Sequence, residues 1–279
     1  MIIECGHNAG FFSCSIAMLD QINLHLKDIV DENNNLLDDV EFLSTNQYEF
    51  YKPKNLVGSD IRKYFFQTNK DVVRIPGNSR KPRKTGCLIV SSGKCYRNVR
   101  NFDVAHYLTS KYFSLSDELF EMKKSMIEEY DIDVKNICGI YYRSTDKCIE
   151  CVIPKADDII SKAKEVLKVN PEIKFLVQSD SASFLEKFSL EFLGDKVIII
   201  NENVKKGEFC LHRTKKISRE TKFKNIKQFL VIVNILADCK FLIHGTGNVN
   251  FFMLLIRGNF DNCYQAFIKS KKERELRWI

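Results

Sequence analysis

Four short stretches of this chain combine residue types suited to gripping an anion. The densest is Gly139-Ile140-Tyr141-Tyr142-Arg143-Ser144-Thr145-Asp146-Lys147, where an apolar run gives way to a polar cluster. An arginine holds a phosphate through two parallel hydrogen bonds, and a lysine adds a point charge. Asp146 can orient Arg143 or cap the following turn, and a surface salt-bridge cluster would use the same residues without a ligand. In Val177-Gln178-Ser179-Asp180-Ser181, a carboxylate can accept from a base or ribose, or cap a helix equally well. His244-Gly245-Thr246-Gly247-Asn248 joins two glycines, a hydroxyl and an amide, the makings of a phosphate cradle at a helix N-terminus. His244 fits a satisfied core histidine as well, and a single histidine argues against a metal. The fourth stretch is Cys5-Gly6-His7-Asn8-Ala9-Gly10. Its glycines let backbone approach a ligand, but they form half a dinucleotide fingerprint and serve equally as a tight turn.

Each stretch needs an element to position it, and each follows a predicted strand. In the second half, apolar runs at 137–142, 173–177, 197–200 and 241–243 read as strands. Between them lie helical spacings. Ile159, Ile160, Ala163, Val166 and Leu167 line one face of 155–168. Phe184, Leu185, Phe188 and Phe192 follow a cap at Ser181 or Ser183. Helices are also predicted over 223–237 and, fully buried, over 249–255. Strands alternating with helices imply a parallel sheet covered on both faces, which binds ligands at its carboxyl edge. The first half carries weaker patterns: strands at 2–4, 42–43 and 87–90, helices at 12–26 and 116–130, and an exposed basic loop at 76–85. The expected boundary separates an N-terminal α/β domain, 1–132, from a Rossmann-like domain, 133–279.

The 279 residues are 44% apolar and 28% charged, enough for a packed core. No stretch approaches the ~20 apolar residues of a membrane span, and the first residues lack the features of a signal peptide. Ten cysteines without a framework read as reduced thiols in a cytoplasmic protein. The net charge of +7 suits an anionic partner or a lysine-rich solvated surface. The basic clusters at 80–84, 213–227 and 269–277 lack the interleaved aromatics of a nucleic-acid platform.

With these residues in view, a family resemblance can be stated. Gly139 to Lys147 resembles the strand-to-loop motif G-x-H-x-R-R-T-D-K of the α1,6-fucosyltransferases and their rhizobial Nod-factor relatives, which α1,2- and protein O-fucosyltransferases share more loosely. Gln178 to Ser181 is similar to their second motif, Asp238 to Asn248 to their third, and Glu4 to Phe12 to their N-terminal glycine loop. The resemblance implies a GT-B fold of two Rossmann-like domains facing across a cleft, with the donor mainly on the C-terminal domain and the acceptor on the other. It implies an inverting glycosyltransferase moving fucose from GDP-fucose to a glycan hydroxyl, with no metal and no cofactor. By position, Arg143 matches the arginine on the donor β-phosphate, Lys147 the motif lysine, and Asp180 the acid near the guanine. Thr246, Gly247 and Asn248 match the segment touching the pyrophosphate, and Glu150 is the nearest candidate for the proposed base, one residue early. The expected donor site therefore takes in Gly6, His7, Asn8, Gly10, Tyr141, Arg143, Asp146, Asp180, Ser181, His244, Gly245, Thr246, Gly247 and Asn248. The sequence departs from the family where Tyr141 replaces the motif histidine, Ser144 the second arginine and Ser181 the second acid. Those exchanges leave open a transferase using another nucleotide sugar, or a module that binds one without turnover.

Other chemistries find less support. Asp131-Ile132-Asp133 has the letters of a metal-binding Asp-x-Asp but follows a charged helix, so it reads as a linker. Cys148-Ile149-Glu150-Cys151 lacks the second pair of a zinc ribbon; a thioredoxin-like use would need a helix N-terminus. No Gly-x-Ser-x-Gly elbow is present. His212 reads as a cleft or a surface histidine.

Overall fold

The structure is a computed structural model. It describes residues 2–4, 9–24, 41–43, 48–57, 59, 61–67, 95–99, 102–144, 152–192, 194–200, 217–268 and 276–279. The chain divides into two compact units. The first comprises Met1–Ile89, Val99–Leu119 and Leu211–Lys227, and the second Val90–Asn98, Phe120–Cys210 and Gln228–Ile279.

In the first unit, strands β1 (Ile2–Glu4) and β2 (Glu41–Leu43) pair in parallel, and helix α1 (Phe11–Leu24) follows β1. A helix absent from the sequence reading, α2 (Phe102–Tyr112), buries Ala105, Leu108 and Thr109 at helical spacing. The core of this unit is aromatic. Phe11 lies with its ring centroid 4.7 Å from Tyr48 and 4.8 Å from Phe65, while Phe66 meets Phe113 at 4.9 Å. Such pairs add ~0.5–1.5 kcal/mol each beyond area burial. The expected strand at 87–90 and loop at 76–85 lie outside the described residues.

The second unit is a six-stranded sheet. Its strands are β3 (Ile137–Tyr142), β4 (Lys174–Ser179), β5 (Val197–Ile199), β6 (Phe241–His244), β7 (Cys263–Ile268) and β8 (Leu276–Trp278). They lie side by side in the order β5-β4-β3-β6-β7-β8, all parallel except β8. This is the Rossmann order, with β3 first and the direction of winding reversing between β3 and β6. Helices α4 (Ala156–Val169) and α5 (Ala182–Glu191) link β3 to β4 and β4 to β5. Helix α6 (Arg219–Asp238) leads into β6, and α7 (Asn248–Arg257) leads out of it. The predicted buried helix at 249–255 is α7: every residue from Val249 to Leu255 is buried. The all-apolar run of β3, buried at every position, is what a strand covered on both faces requires. Helix α3 (Asp117–Glu129) precedes β3, and Asp131 to Asp133 forms the turn between them. Asp131 has φ 48°, and the Asp133 side chain accepts from Lys135 N–H at 3.1 Å. These acids therefore sit at the amino edge of the sheet.

Two contacts fix α6 on the sheet. A Cβ added to Gly139 would lie 3.0 Å from Leu236 Cδ2 and 3.3 Å from both Cys239 Sγ and the Leu236 carbonyl oxygen. Any side chain here would force these neighbours to give by a few tenths of an ångström, so glycine suits the close approach of β3 and α6. At the helix end, Arg257 donates to Ala237 O at 3.0 Å, to Lys240 O at 3.1 Å, to Asp261 O at 2.8 Å, and to Cys239 O. A guanidinium thereby satisfies carbonyls that a helix C-terminus leaves without partners.

Gly139→Ala is expected to lower the folding stability by about 1–3 kcal/mol, because the crowded atoms include backbone. Gly245→Ala is the control, since its Cβ would meet Pro154 only at 4.0 Å. Urea unfolding checks this pair, and a Gly139→Ala midpoint equal to that of Gly245→Ala would contradict the packing described.

Candidate functional site

Strand register brings three of the four polar stretches to one edge. Tyr141 pairs with Gln178 of β4 on one side and with His244 of β6 on the other, and His244 pairs in turn with Gln265 of β7. The residues that follow these positions leave the sheet at its carboxyl edge. The adjoining ends of β3 and β6, where the winding reverses, form the crevice in which open α/β sheets take ligands.

At the end of β3, Arg143 Nε lies 3.6 Å from Asp180 Oδ2, and Ser144 N–H donates to Asp180 Oδ1 at 2.9 Å. Asp180 thus ties the loop after β3 to the loop after β4, and it pairs with Arg143. Both side chains of the pair are about a quarter to a third exposed, so the guanidinium borders solvent. Ser181 caps α5 by accepting from Phe184 N–H at 3.3 Å. Tyr142 lies behind the edge. Its ring stacks on Phe184 at 4.2 Å, its hydroxyl donates to Pro154 O at 3.1 Å, and burial raises its pKa.

At the end of β6, Gly245, Thr246, Gly247 and Asn248 form the turn into α7, all four half-buried. Gly247 is the N-cap and supplies no side chain to the first N–H groups of the helix. An uncapped, ten-residue helix presents donors and a partial positive charge there. His244 is buried, with Nδ1 2.8 Å from Gly245 O. A carbonyl only accepts, so Nδ1 carries the proton and Nε2 is bare. Burial, aided by the Arg257 charge, lowers the pKa from 6.5 to about 4. His244 is therefore a neutral core histidine that shapes the turn.

Two residues here carried no signal in the sequence reading. Tyr96 is buried, and its hydroxyl accepts from Gly247 N–H at 2.5 Å and donates to Gly247 O at 2.8 Å. Its ring lies nearly parallel to His244, 14° off, with centroids 6.2 Å apart. Tyr96 N–H donates to Gln265 Oε1 at 3.0 Å, and Gln265 Nε2 donates to Thr246 Oγ1 at 3.3 Å. The run 263–268 is apolar but for Gln265, a pattern that marks a strand and its polar interruption.

Gly10 belongs to the first unit, where it precedes α1; its carbonyl accepts from Cys14 N–H at 3.0 Å, and Phe11 N–H donates to the Tyr51 hydroxyl at 3.1 Å. Gly6, His7, Asn8, Asp146, Lys147, Glu150, His212 and the Cys148/Cys151 pair lie outside the described residues. Cys14, Cys95, Cys138, Cys239 and Cys263 are thiols outside any disulfide. Burial pushes Cys239 up to about 12 and Cys263 up to about 11, so neither thiol is poised for redox chemistry. Among the described residues no group of three or more His, Cys, Asp or Glu is placed to hold a metal, and no helix is long and apolar enough to cross a membrane.

No family model and no curated protein matches the sequence. Solved structures do match. NodZ alpha-1,6-fucosyltransferase soaked with GDP-fucose is similar with a TM-score of 0.61 and 14% identity, over 100% of this chain and 98% of that one. NodZ alpha-1,6-fucosyltransferase co-crystallised with GDP gives 0.56 and 13%, over 100% and 97%. Fucosyltransferase NodZ from Bradyrhizobium gives 0.57 and 12%, over 100% and 98%. The chain therefore has a fucosyltransferase-like α/β fold, as the sequence resemblance implied.

The state of His244 has a measurable consequence. Its folded pKa lies below the unfolded value, so the unfolded chain binds the extra proton between pH 6.5 and 4. Stability is then complete above about pH 6.5 and falls as the pH drops toward 4. Between pH 7.5 and 5.0 the loss assigned to His244 is about 2 kcal/mol. Urea unfolding of the wild type and His244→Gln at both pH values tests it. An equal pH dependence in the two proteins would contradict the neutral, buried assignment.

Proposed function

We propose that this protein is an inverting glycosyltransferase that moves fucose from GDP-fucose to a glycan hydroxyl without a metal. The observation that carries the reading is that Arg143 and the turn into α7 follow adjacent parallel strands at the same sheet edge, where the winding reverses between β3 and β6, in a fold shared with a fucosyltransferase solved with GDP-fucose. The diphosphate lies against Arg143 and the Thr246, Gly247 and Asn248 turn, while Asp180 orients Arg143 and faces the base or ribose. As the bond to the sugar breaks, charge grows on the β-phosphate. A fixed guanidinium, Lys147 and the helix N-terminus stabilise that charge more than they stabilise the bound donor, which lowers the barrier. Glu150 takes the proton of the attacking hydroxyl, a step worth about 10²–10⁴ in rate. By the family resemblance alone, Gly6, His7, Asn8 and Gly10 are proposed as further donor-binding residues, and the N-terminal domain as the acceptor side.

A second reading keeps the transferase and changes the donor. Ser144 and Ser181 stand where the family has a second arginine and a second acid, and the Ser181 hydroxyl is engaged in capping α5. A site with one arginine and one acid suits another nucleotide sugar.

Release of GDP from GDP-fucose, with and without EDTA, tests the first reading. Arg143→Ala is expected to lower the rate by about 10²–10³ while leaving thermal unfolding unchanged. A rate near that of the wild type would remove Arg143 from the donor site.

A further inference from the structure

The turn between β6 and α7 is held by two buried side chains from elsewhere in the second unit, and their hydrogen-bond directions can be read. Tyr96 N–H can only donate, so the oxygen of the Gln265 amide must face it, at 3.0 Å. That fixes the amide the other way round at its far end. Gln265 Nε2, which can only donate, faces Thr246 Oγ1 at 3.3 Å. Thr246 is therefore an acceptor toward Gln265, and its own hydroxyl hydrogen points elsewhere. Gln265 is 3% exposed, whereas Thr246 is half-buried at the carboxyl edge of the sheet. Meanwhile the Tyr96 hydroxyl closes on both backbone groups of Gly247, which removes that N–H from ligand binding and freezes the backbone leading into α7.

We infer that Gln265 and Tyr96 are positioning residues that set Thr246 as a hydrogen-bond donor toward a diphosphate. A diphosphate near neutral pH offers mainly acceptors, so a hydroxyl committed as a donor recognises it, whereas one free to rotate must be reoriented on binding. The inference rests on the donor-site reading above and extends it to two residues that touch no ligand. Gln265 reaches the site because β7 pairs with β6 in a register that sets it beside His244, two residues before Thr246. Tyr96 is anchored three ways, by its backbone N–H, its hydroxyl, and its ring against His244 and Phe251. It therefore supports both Gln265 and Gly247 without contributing a group to the ligand.

Calorimetric titration with inorganic pyrophosphate and with GDP tests this. Gln265→Met removes the directing amide without adding charge. It is expected to raise the pyrophosphate Kd by about 10-fold in the wild-type background, the worth of one hydrogen bond to a charged group. In a Thr246→Ala background the same change is expected to cost less than about twofold, because the hydroxyl it acts through is gone. Tyr96→Phe, which keeps the ring and loses the hydroxyl, is expected to weaken pyrophosphate and GDP alike and to lower thermal stability without unfolding the protein. It also serves if Gln265→Met fails to fold. Equal losses in both backgrounds, or wild-type affinity in Gln265→Met and Tyr96→Phe, would overturn the inference. Binding of pyrophosphate but not GDP by the wild type, with the losses above, would sustain the inference and remove the guanine donor. Binding of neither by the wild type would remove both.

Discussion

The arrangement depends on one constraint: β3 is hydrogen-bonded on both sides, to β4 and to β6, in fixed register. A one-residue slip of a strand would turn its side chains to the opposite face, and a strand buried throughout cannot absorb that. Once Tyr141 is set between Gln178 and His244, the residues after each strand have no freedom about where they emerge. Arg143, Asp180 and Thr246 belong to loops far apart in sequence, yet they leave the sheet at the same edge. Chemistry is thus a by-product of pairing, and the polar residues need only be the next ones along the chain.

The two edges of this sheet are treated differently. At the amino edge and the end of α6, polar side chains are turned to backbone groups of the fold itself. Arg257 is spent on four carbonyls, and Asp133 on a local turn. At the carboxyl edge, polar groups tie one strand end to the next. Asp180 holds the Ser144 backbone and steadies Arg143, whose guanidinium remains partly exposed. The N-terminus of α7 has no side-chain cap. The N-cap N–H is held by the Tyr96 hydroxyl, and the N–H groups that follow it favour a ligand that supplies acceptors.

How much of this could be read from residues alone follows from which interactions are local. The strands β3, β4 and β6 are built on the apolar runs 137–142, 175–177 and 241–243, and the helices between them repeat at three and four. Both patterns arise within single elements, and the polar residues after each strand are legible for the same reason. Ser181 as a cap needs only three residues of context. By contrast β7 is a six-residue run broken by Gln265, and its place beside β6 depends on partners it does not announce. Tyr96 lies 151 residues from Gly247 and has no periodic context of its own. The charge state of His244 was open in the sequence because burial, and not residue type, decides it. The weak patterns of the first half reflect a core of aromatic contacts such as Phe11 with Tyr48 and Phe65, gathered from short segments and not from long periodic elements.

The central claim is that a nucleoside diphosphate binds where β3 and β6 part. A crystal structure of the protein with GDP tests it most directly. The expected result is the diphosphate against Arg143 and the backbone of Thr246 to Asn248, with the Thr246 hydroxyl donating to a phosphate oxygen. GDP bound elsewhere on the molecule, or no GDP in crystals grown at saturating nucleotide, would contradict the account.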